Sequence, residues 1–152
     1  MKLAAALSER ADIQRRISEL AGRLRQNAKV QQGEQPSEQP QELMKELDGL
    51  LARLEELVAR INLTNSTVSA DGRTITELIS HRDTLKLRIS VMRGFLDEAS
   101  SKVDRYSRAE ILIQSTVDVS ALQKQLDGYS RELRQTDEKL QELNWTTELL
   151  EG

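Results

Sequence analysis

The sequence predicts an all-α fold: an antiparallel bundle of about four long amphipathic helices with a short extended arm near residues 108–119. Three observations point there. Leu122, Leu126, Tyr129, Leu133, Thr136, Leu140, Leu143, Thr147 and Leu150 recur at alternating steps of four and three, one narrow seam of a single helix. Three more segments carry apolar residues at helical spacing, separated by stretches rich in Pro, Gly, Asn or Ser. Aromatics are only 3% of the chain against 38% hydrophobic and 31% charged residues, so the core must be built of Leu, Ile and Val.

The first helix spans about residues 2–31, with Leu3, Leu7, Ile13, Ile17, Leu20 and Leu24 on one stripe. Gly33, Pro36 and Pro40 break it, since prolines and a glycine cannot continue a helix. Ser37 or Pro40 starts the second helix, which runs to about Ile61 through Leu43, Leu47, Leu50, Leu51, Leu54, Leu57 and Val58. A polar loop at 62–73 holds the turn pair Asp71-Gly72. Thr74 and Glu77 form a capping box for the third helix, with Leu78, Leu85, Ile89, Met92, Leu96 and Val103. Residues 104–119 are irregular, and 110–119 are rich enough in β-branched residues for a short strand or arm. Ser120 is expected to cap the last helix. At 152 residues this makes one helical domain, 1–152, with loops at 32–40 and 62–73.

Charge alternates along these pieces. Residues 1–31 carry net +4, residues 32–60 net −4, residues 61–108 net +2 and residues 109–152 net −5. Sequential helices joined by modest loops pack as antiparallel neighbours, so each basic helix is expected beside an acidic one. Such narrow seams on elongated helices bury little surface in one chain, and a homo-oligomer is the expected remedy.

Composition also excludes classes of chemistry. The absence of cysteine removes disulfides and thiolate sites, and fits a cytoplasmic location. Glu9, Arg10 and Asp12 come too early for a signal peptide, so the Asn-x-Ser/Thr triplets at Asn62, Asn65 and Asn144 are expected to be chance. No segment has the roughly 20 apolar residues of a membrane span. With a pI of about 5.4 and no aromatics interleaved among the basic residues of the first helix, no nucleic-acid partner is expected.

Few residues are candidates for a site. His81, the one histidine, shares a helix face with Glu77 and is expected to be a surface residue in that pair. No Glu-x-x-His or His-Glu-x-x-His motif occurs, although a divalent cation held by oxygen ligands stays open. Arg82 falls on the stripe between Leu78, Leu85 and Ile89, where a cation must find a carboxylate, anchor a ligand or snorkel to water. Asp83, Glu110 and Asp118 are its candidate partners. Asn62 and Asn65 suit a helix C-cap, and Trp145, beside Asn144, suits the end of a core or a subunit contact.

Gln32-Gly33-Glu34 with Pro36 and Pro40, Asn62-x-Thr64-Asn65, Arg82-Asp83, Arg108-x-Glu110-Ile111, Thr116-Val117-Asp118-Val119 and Asn144-Trp145 occur in that order. With these motifs the chain resembles the small bacterial family often labelled septicolysin, across nearly its whole length. The resemblance implies a cytosolic, all-helical protein forming a ring-like oligomer such as a hexamer. It also implies a metal or ligand site among polar residues, for which Arg82, Asp83, Arg108, Glu110, Asp118, Asn62, Asn65, Asn144 and Trp145 are the candidates. The label further implies a haemolysin, which the short arm at 110–119 and the missing apolar span oppose. The leading expectation is a non-enzymatic, oligomer-forming helical protein. A metal- or small-ligand-binding protein is the alternative, and a pore-forming toxin a second one.

Overall fold

The computed structural model describes residues 1–101 and 112–152. Its elements are α1 (Leu3–Gln26), α2 (Pro40–Thr67), β1 (Ser69–Ala70), β2 (Arg73–Thr74), α3 (Ile75–Ser100) and α4 (Val119–Thr146). The fold is all-α, with one tiny two-stranded hairpin among the described residues. The chain divides into two units, residues 1–75 with 142–152, and residues 76–141.

In the first unit α1 and α2 pack antiparallel. Glu9, early in α1, accepts at 2.8 Å from Nε of Arg53, in the middle of α2. Arg23, late in α1, donates through Nε to Glu38 at 3.0 Å and lies 3.7 Å from Glu46, early in α2. The Arg23 contacts follow the expected sense, basic first helix to acidic second segment, whereas Glu9–Arg53 runs the other way. Local pairing rather than net helix charge therefore sets this register. Along the two helices, Leu3, Ala6, Ile13 and Leu20 of α1 and Leu43, Leu50, Leu57 and Ile61 of α2 are buried. Each of the Leu and Ile side chains contributes roughly 1.5–3 kcal/mol by leaving water.

The ends of these helices depart from expectation. α1 stops at Gln26 rather than near 31, because Asn27 takes over. Its backbone N–H and its side-chain Nδ2 both reach Arg23 O, while its Oδ1 accepts the Glu38 N–H at 3.0 Å. Pro40 opens α2, where its missing N–H costs nothing. α2 then runs through Asn62 and Asn65 to Thr67, so these asparagines are helical and Val68 is the C-cap. The cause is Thr64, which is fully buried and turns this polar-looking stretch toward the core.

The hairpin follows at once. Asp71 (φ 54°) and Gly72 (φ 82°) both occupy the left-handed region, as a two-residue primed turn requires. Ser69 pairs with Thr74 and Ala70 with Arg73, and Ile75 N–H donates to Val68 O at 3.0 Å. The C-terminal tail completes the unit. Leu3 N–H donates to Thr147 O and Leu149 N–H to Met1 O, both at 2.8 Å, around an antiparallel bridge of Lys2 with Glu148.

In the second unit α3 and α4 are antiparallel, with buried Ile89, Leu96 and Leu126 surrounded by Met92, Val119, Leu122, Tyr129 and Leu133. All nine residues of the predicted seam are buried or half-buried. The helix ends at Thr146, however, so Thr147 and Leu150 belong to the tail. Asp118, not Ser120, caps α4: its Oδ1 accepts the Ala121 N–H at 3.1 Å and its carbonyl the Leu122 N–H at 3.0 Å. No strand forms over 112–118. Val103, Arg108, Glu110 and the first part of the expected arm lie outside the described residues.

Candidate functional site

α3 brings three kinds of side chain to its surface. Toward α4 it presents a polar cluster. His81 Nε2 lies 2.8 Å from Glu132 Oε1, and Arg88 Nη1 donates to the Tyr129 hydroxyl at 3.0 Å while its guanidinium carbon sits 4.8 Å over the Tyr129 ring. These four, with Thr84 and Leu85, line a cavity of about 220 Å³. Thr84 Oγ1 donates to His81 O at 3.0 Å, so each polar group lining the cavity has a partner on the wall. The cluster ties α3 to α4. An incoming ligand would have to displace those bonds.

Arg82 forms the second kind. It is half-buried on the stripe where it was expected, and its Nε donates to Oδ1 of adjacent Asp83 at 3.0 Å. Both side chains keep a substantial exposed area, so the pair resembles a solvated contact more than a buried lock. Asp118, the other described candidate in this unit, is spent on capping α4. Arg108 and Glu110 lie outside the described residues.

In the first unit Asn62 is exposed and Asn65 and Asn144 are half-buried, while Trp145 is 69% exposed. The expected candidates therefore fall into two units rather than one described cluster. Among the described residues no three His, Asp or Glu side chains gather where they could hold a metal ion.

The third kind was missed by following one stripe per helix. Leu87, Val91 and Phe95, one turn apart, are 67%, 73% and 47% exposed. Leu85, Ile89 and Leu96 are buried on the opposite side. α3 is thus apolar on two sides while only one is covered within its unit, a pattern that calls for a second partner. The signal was in the sequence, as apolar residues at steps of four alongside the chosen stripe.

Among the described residues, the shifted titratable groups lie in the first unit. Hydrogen bonding from Arg53 holds the Glu9 carboxyl below the usual carboxylate range, Arg23 does the same for Glu38, and Lys2 for Glu148. These pairs fasten α1 to α2, the loop and the tail.

Residues 10–149 match the model of a family described as a family of unknown function, DUF6847. A crystal structure of a functionally unknown conserved protein from Corynebacterium diphtheriae is 43% identical to the chain, with 99% of each chain covered and a TM-score of 0.87. Among curated proteins, no relative matches.

Proposed function

This chain belongs to the family of unknown function DUF6847, and we propose that it is a non-enzymatic, oligomer-forming helical protein whose helices supply the subunit contacts. One observation carries this: the row Leu87, Val91 and Phe95, held in water on a helix whose other apolar side is already packed. Leaving three large apolar side chains in water forfeits several kcal/mol that a second surface recovers, by roughly 25 cal/mol for each Å² covered. The chemistry of the polar residues adds support. The His81–Glu132 and Arg88–Tyr129 pairs satisfy one another rather than facing a substrate.

No helix among the described residues is long and apolar enough to cross a membrane. The charged flanks of α3 suit contact with another protein in water.

The test is the solution mass of Leu87→Glu/Val91→Glu beside that of the wild type. Both positions are exposed helix surface, so the substitutions should leave the helical circular dichroism intact while lowering the assembly state. An unchanged mass with full assembly would remove this row from any subunit contact. The closed ring of six implied by the septicolysin-like motifs is the count against which the wild-type mass is compared.

A further inference from the structure

We infer that the α3 row pairs with the same row of a second copy, antiparallel, about a two-fold axis at Val91. This mode of pairing rests on the oligomer proposed above, and names its partner and register. At about 100° per residue, Thr84, Leu87, Val91 and Glu98 fall along one line, with Phe95 and Arg88 to one side and Gly94 to the other. All seven are exposed.

Reversing a second copy about Val91 sets Leu87 over Gly94 of that copy, beside its Phe95. Gly94 has open space where a side chain would begin, which provides the notch. The methylene stem of Arg88, whose head already rests on Tyr129, lies against Phe95 of the second copy. Glu98 has no ion pair among the described residues, and it arrives beside Thr84 and within reach of Arg88.

The rim therefore carries a base toward one end and an acid toward the other, and a reversed copy matches them twice. A parallel copy would set Glu98 on Glu98 and Arg88 on Arg88, which is repulsive. The hairpin of α3 and α4 is half of a four-helix bundle, and an identical hairpin is the simplest surface that completes it.

The chain lacks cysteine, so Val91→Cys introduces a single thiol. On the two-fold axis the two thiols meet, and oxidised glutathione should link most of the protein into disulfide dimers on non-reducing gels. The reduced variant should keep the wild-type mass. Ala52→Cys, on the exposed side of α2, should stay unlinked under the same conditions. Gly94→Leu in the Val91→Cys background fills the notch and should abolish the link, without harming a helix in which Leu is favoured over Gly. Arg88→Glu should weaken it and Arg88→Glu/Glu98→Arg restore it.

A wild-type oligomer whose Val91→Cys form fails to link would overturn this register while leaving the oligomer standing. So would linkage that survives Gly94→Leu. A monomeric wild type would overturn both.

Discussion

The Thr64 hydroxyl accepts the backbone N–H of Leu150 at 2.9 Å, across 86 residues of sequence, and donates to Arg60 O at 2.7 Å. Arg60 in turn donates through Nε to Leu150 O at 3.3 Å. One fully buried threonine thus holds the C-terminal tail on α2, while the same tail satisfies the first N–H of α1. An α-helical end that would otherwise show orphan donors is closed by a segment remote in sequence.

Thr64→Val keeps the shape and removes both hydrogen bonds, leaving the Leu150 N–H without its partner. The expected cost is about 1–3 kcal/mol, the usual penalty for a buried unpaired group. Urea unfolding followed by circular dichroism would measure it. Thr64→Ser should recover most of the loss, and a Thr64→Val protein as stable as the wild type would refute the role.

Acid should loosen the first unit. Glu9, Glu38 and Glu148 have folded pKa values below their ordinary value of 4.5, through hydrogen bonds from Arg53, Arg23 and Lys2. A depressed carboxylate contributes stability that is present above its unfolded pKa and lost as pH falls through the folded one. Stability should therefore be flat near neutrality and fall below about pH 4.5. Arg53→Met should shrink that fall, measured as unfolding midpoints from pH 7 to pH 3. The same acid dependence with and without Arg53 would contradict the assignment.

The hairpin turn should tolerate little change. Gly72 at φ 82° follows Asp71, itself left-handed at 54°, so Gly72→Val forces a β-branched residue into a strained region. A loss of about 1–2 kcal/mol is expected. Gly128, in mid-α4 with helical φ and nothing near its Cβ position, provides the contrast: Gly128→Ala should stabilise by up to about 1 kcal/mol. Differential scanning calorimetry separates the two signs, and equal shifts would count against the backbone explanation.

Ile89 lies in the small core shared by α3 and α4, so Ile89→Ala should cost about 2 kcal/mol, the low end for such truncations. Hydrogen exchange should register the loss within residues 76–141. Exchange quickened only in α1 and α2 would contradict the division into units.

The seam from Leu122 to Leu143 was legible because heptad periodicity is local. The extension of α2 was not. Asn62, Thr64 and Asn65 read as a polar terminus, and only the distant Leu150 N–H makes Thr64 a core residue. His81 was placed with Glu77 at helical spacing, whereas Glu132 meets it across the hairpin, a partner no local pattern reveals. Asp118 looked like an ion-pair partner and is a helix cap. Arg108 and Glu110 lie outside the described residues. The Leu87–Val91–Phe95 row was visible in sequence, but assigning each helix a single buried stripe hid it.

The central claim is self-association, and the most direct test is the wild-type molar mass by light scattering over a micromolar dilution series. The prediction is a fixed multiple of 17.2 kDa that persists on dilution. A mass of one chain across the series would contradict it.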